Sequence, residues 1–361
     1  MNRRQFFKQA GVAGVGAAAL AAPAIAQENP KITWRLASSF PKSLDIIFGA
    51  ATDIAESVSK ATDGQFEIQV FAAGEIVPPL QVADAVTADT IEMGHTCCYY
   101  YIGKDPAFAL GTAIPFGLNA RMTNSWFTAG GGNELLNEFL ASYKLYALPA
   151  GNTGAQMGGW YRKEIKTIDD LKGLKMRIAG LAGEIMSKVG VTPQQIAGSD
   201  VYPALEKGTL DAAEWVGPYD DQKLGFYKVA PFYHYPGWWE GGPQLDLYVN
   251  TKAYEGLSAE NKAIIENASA YAHTEMQAKY DARNPTALRQ LVANKTKLVS
   301  FNKAVLDAAF KESMALYSEI AAKNPNWKKV YEDYSKFRRD SNQWFRFTEA
   351  RFDSYMQSQK L

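Results

Sequence analysis

The feature that most constrains this chain is a strand–helix–strand alternation that runs through its first part and starts again near residue 150. Ile32–Ala37 reads as a strand. Apolar residues at Ile47, Ala51, Ile54 and Val58 then predict a helix over roughly 44–61, and Phe66–Phe71 alternates as the next strand after Gly64. A helix over Pro79–Thr87 and a strand opening at Glu92–His95 follow. Parallel neighbours need a long crossover, whereas antiparallel ones can be joined by a two-residue turn. An alternation of this kind therefore implies an α/β unit with a mostly parallel sheet.

The second run begins with strands at Tyr143–Ala150 and Gln156–Tyr161. A turn of helix at Ile168–Lys172, a strand at Lys175–Ile178 and a helix at Gly183–Val189 come next. Thr192–Ile196 is extended, Val201–Lys207 is a helix closed by Gly208, and Ala212–Trp215 is a strand end. Pro231, Pro236, Gly237, Gly241, Gly242 and Pro243 mark a return crossing, after which Leu245–Asn250 rejoins the first unit. A helical run starts at Ser258 and is punctuated by Asn284 and Pro285. From about Trp327, residues Tyr331, Tyr334, Phe337, Ser341, Phe345, Thr348, Phe352 and Tyr355 recur in steps of three or four. That aromatic stripe has to be covered, either by the chain's own domains or by a second subunit.

The first residues read Met-Asn-Arg-Arg-Gln-Phe-Phe-Lys, followed by a weakly apolar run from Ala10 to Ala26 that ends in Ala-Ile-Ala. A basic start, an apolar middle and an A-x-A end describe a secretory signal peptide over 1–26, and Arg3-Arg4 adds a twin-arginine reading. The run is too poor in large apolar residues for a membrane anchor, which needs about 20. The mature chain is expected to begin near Gln27, in a periplasm. Residues 1–26 hold Arg3, Arg4 and Lys8 and no acid. Of the 38 basic and 38 acidic side chains, 35 and 38 then remain, a net charge of −3. No clustered basic excess marks a nucleic-acid surface. Some 335 mature residues exceed one comfortable core, so two domains are expected.

Local catalytic signatures are missing. The two cysteines, Cys97 and Cys98, are adjacent, and the three histidines, His95, His234 and His273, are scattered, so no zinc or iron spacing forms. No GxSxG, Walker loop or strand-led GxGxxG occurs. What stands out instead is Arg177, a charge inside the short apolar strand of Leu171-Lys-Gly-Leu-Lys-Met-Arg-Ile-Ala-Gly180. A guanidinium in such a run is either paired or turned into a ligand cleft, and its planar fork matches a carboxylate. Polar residues at other presumed strand ends could join it: Tyr99 and Tyr100, Asn152, Gln156, Glu214 beside Trp215, and Glu240 after Trp238-Trp239. Ligands of open α/β sheets sit outside the carboxyl ends of the strands. Glu214 could pair with Arg177 directly, or it could join Gln156 as a hard oxygen ligand for Na⁺ or Ca²⁺.

Trp160-Tyr-Arg-Lys-Glu-Ile165 and Asp170-Leu-Lys-Gly-Leu-Lys-Met-Arg177 resemble the core motif of DctP-type substrate-binding proteins of TRAP transporters. Trp34–Lys42, Glu214–Asp221 and Pro236–Pro243 resemble the branch that binds 2-oxo acids such as pyruvate, so the resemblance covers essentially the mature chain. It implies an α/β, two-lobed, type II-like periplasmic binding protein with a long C-terminal helix. The expected division is 27–150 with about 240–283 as one lobe, 151–239 with about 284–326 as the other, and 327–361 as a helix exchanged in a homodimer. The resemblance assigns the ligand carboxylate to Arg177. It assigns a cation, Na⁺ or Ca²⁺, to Gln156, Glu214 and the Trp215 carbonyl, with the cation also meeting the acid. Tyr99, Tyr100, Asn152 and Glu240 would line the rest of the pocket. The partners are a small 2-oxo or 2-hydroxy monocarboxylate and the TRAP membrane permease. A sensor that reports to a receptor kinase and an exported enzyme are the alternatives.

Overall fold

A computed structural model describes residues 31–359; the expected signal segment lies outside the described residues. Among the described residues, eleven strands form two sheets. Four open the first: β1 (Ile32–Ser38), β2 (Phe66–Phe71), β3 (Met93–Thr96) and β4 (Leu145–Asn152). The second is built from β5 (Trp160–Tyr161), β6 (Lys175–Arg177), β7 (Thr192–Gln194), β8 (Ala212–Ala213) and β9 (Phe232–Tyr235). The chain returns to the first sheet with β10 (Gln244–Asn250) and to the second with β11 (Lys297–Ser300). The orders are β2-β1-β3-β10-β4 and β11-β9-β5-β8-β6-β7.

The alternation in the sequence has its expected consequence. β1 runs parallel to β2 (Ile32 opposite Phe66) and to β3 (Leu36 opposite Met93), with helix Gly49–Ala61 as the crossover. That helix buries Ala51, Ile54 and Val58, three of the four residues whose spacing predicts it. The strand that rejoins the first sheet runs antiparallel to both its neighbours and is buried on both faces. In the second sheet β6 is parallel to β7 and β8, pairing Arg177 with Gln194 and Ala213.

The helical run from Ser258 differs from expectation. Pro285 does not punctuate it: one helix of 35 residues spans Ala259–Ala293. Proline removes a single backbone bond, and packing outweighs that loss. Tyr280 and Leu291 are fully buried on either side, and the Asn284 side chain accepts the Tyr219 N–H at 3.0 Å. The helix packs on β4 and Gly49–Ala61 and on helix Pro218–Leu224, so it bridges the two sheets.

The C-terminal stripe is covered in its first half only. Trp327, Val330 and Tyr334 are buried, Tyr334 Oη accepts the Leu118 N–H at 2.8 Å, and Asp333 accepts the Trp126 indole N–H at 2.7 Å. The single long helix of the sequence reading is two helices, Pro325–Phe347 and Glu349–Ser358, that break at Thr348. Beyond Phe337 most of the aromatic residues surface, with Trp344 61 % and Phe347 72 % exposed, while Phe345 stays half-buried beneath Arg121.

Candidate ligand and cation site

The carboxyl ends of five strands converge between the sheets. Phe40 follows β1, Cys97–Tyr100 follow β3, Thr153 follows β4, Arg177 ends β6, and Glu214–Val216 follow β8. A tight cavity of about 10 Å³ lies there, and Tyr99, Tyr100, Gln156, Arg177, Trp215 and Glu240 all stand in its wall.

Register places the charges. Because Arg177 pairs with Ala213 in parallel, the Glu214 N–H donates to the Arg177 carbonyl at 3.1 Å and the two side chains meet. Arg177 is 1 % exposed. Its Nη1 donates to the Glu214 main-chain carbonyl at 2.9 Å and to the carboxylate oxygen Oε1. Its Nε reaches the Ile196 carbonyl at 3.4 Å. The guanidinium lies 4.9 Å from the centre of the Trp215 ring, a cation–π contact that replaces lost hydration. Glu214 Oε1 also accepts the Ala179 N–H at 3.2 Å.

Three buried oxygens of these residues have no hydrogen-bond partner: Gln156 Oε1, Glu214 Oε2 and Glu240 Oε2. Orphaned polar atoms of this kind cost free energy unless something else satisfies them. Burial pushes the Glu214 carboxyl up to about 7 even though the Arg177 charge opposes that shift. Burial, followed by repulsion from Glu214, holds the Glu240 carboxyl well above its ordinary value. A bound cation would relieve both, and an all-oxygen donor set fits Na⁺ or Ca²⁺ rather than zinc. No cluster of three or more His, Cys, Asp or Glu residues forms among the described residues, so Gln156 and the Trp215 carbonyl would have to complete a ligand set.

The backbone ties these oxygens together. Gln156 N–H donates to the Glu240 carbonyl at 3.2 Å, Gly237 N–H to the Gln156 carbonyl at 3.0 Å, and Met157 N–H to the Val216 carbonyl at 3.1 Å. Gly237 is required by proximity: a Cβ there would lie 2.6 Å from the Gln156 carbonyl oxygen. Across the cavity, Tyr99 and Tyr100 ride on the 3₁₀ turn Cys98–Tyr101, with ring centres 5.1 Å apart. Gln195 Nε2 donates to the Tyr100 carbonyl at 3.0 Å while its Oε1 accepts the Gly180 N–H at 3.3 Å, linking the two walls.

Asn152 is placed differently from the sequence expectation. Its Nδ2 donates to Asn124 Oδ1 at 2.8 Å and its Oδ1 accepts the Gly154 N–H at 2.8 Å, so it shapes the turn behind the cavity rather than facing it. The sequence reading missed Phe40, Ile47, Cys97, Thr153, Val216, Pro243 and Leu245 as lining residues. Phe40, Thr153, Val216 and Pro243 lay inside segments already singled out, but Ile47 and Leu245 carry no local sign that separates them from core residues.

The profile of the DctP family, bacterial extracellular solute-binding proteins of family 7, matches residues 37–324. The monocarboxylate 2-oxoacid-binding periplasmic protein of Nostoc sp. strain PCC 7120 is 49 % identical over 91 % of this chain and 90 % of its own length. A TRAP transporter solute-binding protein from Bordetella bronchiseptica is also 49 % identical, with a TM-score of 0.90 over 91 % of this chain and 98 % of that one. It is a mixed-occupancy dimer with copurified calcium and picolinate in one active site and an apo second site. A TRAP periplasmic solute-binding protein from Pseudoalteromonas atlantica, solved with sodium and pyruvate, is 37 % identical, with a TM-score of 0.87 over 91 % of this chain and 100 % of that one. The extent of the profile match and the identity along nearly the whole chain show that this protein belongs to the DctP family of extracellular solute-binding proteins.

Proposed function

We propose that this chain is the periplasmic receptor of a TRAP transporter, which captures a small 2-oxo or 2-hydroxy monocarboxylate of the pyruvate type with a bound cation. It hands that acid to the membrane permease. Members of the family are solute-binding receptors rather than enzymes. The observation that carries the reading is a buried guanidinium at a cavity wall beside three orphaned buried oxygens.

In this reading Arg177 holds the carboxylate of the acid. Gln156, Glu214 and the Trp215 carbonyl hold Na⁺ or Ca²⁺, which supplies positive charge to the carboxylate and the 2-oxygen. Tyr99, Tyr100 and Glu240 close the remaining walls, and Asn152 supports them from behind. The two sheets belong to two lobes that close on the acid. Closure removes water and strengthens each charge-assisted bond.

Export by the twin-arginine route fits Arg3-Arg4, and no helix among the described residues is long and apolar enough to cross a membrane. The exposed aromatics Trp344, Phe347, Phe352 and Tyr355 would be covered by a second copy in a homodimer joined through the C-terminal helices.

Thermal shift tests the reading. A panel of small carboxylic acids is scanned against cation-stripped protein, then with sodium or calcium restored. A ligand that binds only the native state raises the melting temperature by mass action. Pyruvate-type acids should stabilise the protein, and much more strongly once the cation is returned. Equal stabilisation with and without cation would leave Glu214 as a structural partner of Arg177 alone.

A further inference from the structure

The segment Glu214–Asp221 ends in a carboxylate that the ligand site does not use directly. Asp221 is 1 % exposed and accepts three hydrogen bonds. The Trp160 indole N–H reaches Oδ2 at 2.9 Å, the Tyr233 hydroxyl reaches Oδ2 at 2.7 Å, and the Val216 N–H reaches Oδ1 at 3.3 Å. The third bond belongs to the peptide unit whose carbonyl is that of Trp215. In a trans peptide, N–H and C=O are coplanar and point in opposite directions. Holding the Val216 N–H therefore aims the Trp215 carbonyl away from Asp221. A negative acceptor on the N–H also polarises the peptide and makes that carbonyl oxygen a stronger donor to a cation. The next peptide is fixed from the other side, because the Val216 carbonyl accepts the Met157 N–H at 3.1 Å.

We propose that Asp221 is a positioning residue for the cation: through Val216 it sets the direction and the charge of the Trp215 carbonyl. Trp160 and Tyr233, stacked with ring centres 3.9 Å apart, hold the carboxylate in place from the neighbouring strands β5 and β9. The inference rests on the reading that Trp215 contributes its carbonyl to a cation.

The test uses the mature protein, stripped of cation, with pyruvate as probe and calcium chloride titrated by calorimetry. Asp221→Asn keeps a single acceptor oxygen, for which the Trp160 and Tyr233 donors compete against the Val216 N–H. It should raise the half-saturating calcium concentration about tenfold while leaving pyruvate affinity at saturating calcium within about threefold of the parent. Hydrogen exchange of the peptide that contains Val216 should speed up in the same variant. Tyr233→Phe, which removes one donor from Asp221 without changing shape, should raise the calcium requirement about two- to threefold and keeps the test alive if Asp221→Asn does not fold. An unchanged calcium requirement in either folded variant overturns the proposal. Pyruvate binding by the parent protein that needs neither calcium nor sodium overturns the cation reading and this inference with it.

Discussion

Arg177 and Glu214 meet twice through one nitrogen: Nη1 donates to the Glu214 main-chain carbonyl at 2.9 Å and also to its carboxylate. The pair is direct, yet it does not exhaust either residue. Glu214 keeps Oε2 without a partner, and the protein contacts of Arg177 run through Nη1 and Nε. A direct ion pair and a cation site are therefore compatible readings of Glu214, one for each carboxylate oxygen.

Loss of the guanidinium should remove both the carboxylate clamp and the charge that offsets Glu214. Charge-assisted hydrogen bonds contribute roughly 1.5–3 kcal/mol each. Arg177→Ala should weaken pyruvate binding by at least about tenfold, the equivalent of about 1.4 kcal/mol. Arg177→Lys should also lose affinity, since an ammonium cannot supply the planar fork or stack on Trp215 in the same way. Calorimetric titration decides the matter, and unchanged affinity in either variant would remove Arg177 from the ligand site.

Protonation of the histidines offers a second check. Burial lowers the His95 imidazole to about 3, and His234 and His273 to about 4 each. The environments agree. His234 stacks on Phe301 at 4.8 Å and its Nε2 accepts the Ile165 N–H at 3.3 Å, which requires the neutral ring. A histidine whose folded pKa lies below its unfolded value of about 6.5 contributes stability that is fully present above pH 6.5. That contribution is lost as pH falls toward 4 and then 3. Burial raises Asp220 to about 7 and Asp221 to about 6, so these carboxyls cost stability as pH rises through the same window. Proton NMR separates the two groups. None of the three imidazole signals should titrate between about pH 5.5 and 8, and one with a midpoint near 6.5 would mean that its ring is solvated.

Much of the frame was legible because it depends on local pattern. Helix Gly49–Ala61 and strand β2 follow from residue spacing, and Arg177 stood out because a charge in an apolar strand needs a reason. The rest depends on partners far away in sequence. Asn152 faces backward because Asn124, 28 positions earlier, takes its amide. Pro285 stays helical because Tyr219 and the surrounding core hold that turn in place. Phe40 and Ile47 line the cavity, but an apolar wall of a pocket and an apolar wall of a core have the same composition.

Asp45 marks another such contact. It precedes helix Gly49–Ala61, yet it pairs with Lys223, accepts the Tyr219 hydroxyl at 3.0 Å and meets Arg283 at 3.1 Å. These groups join the first sheet's side to helix Pro218–Leu224 and to the long bridging helix. Each exposed pair alone contributes at most about 1 kcal/mol, but three donors on one carboxylate should favour closure of the two proposed lobes. Asp45→Asn should raise the dissociation rate of pyruvate several-fold with little change in the association rate, and added salt should shrink the difference. Stopped-flow release measurements would detect it, and identical release rates would reduce the cluster to surface decoration.

Gly237 sets a tight geometric constraint on the site. A Cβ at this position would fall 2.6 Å from the Gln156 carbonyl oxygen and 2.7 Å from that of Met157, both backbone atoms. Backbone cannot yield as a side-chain tip can, so Gly237→Ala must push the Gln156–Met157 segment away from Glu240 and Val216. The expected result is a loss of roughly 1–3 kcal/mol in stability, the range for overpacking, together with a calcium requirement that rises because Gln156 Oε1 moves. Gly49→Ala is the control. Nothing lies within 4 Å of its would-be Cβ, and it begins a helix, so alanine there should be neutral or mildly stabilising. Melting curves and calcium titrations of the two variants separate a general alanine effect from displacement of the cation ligands. A Gly237→Ala protein that melts and binds like the parent would show that the three tied segments can shift without disturbing the site.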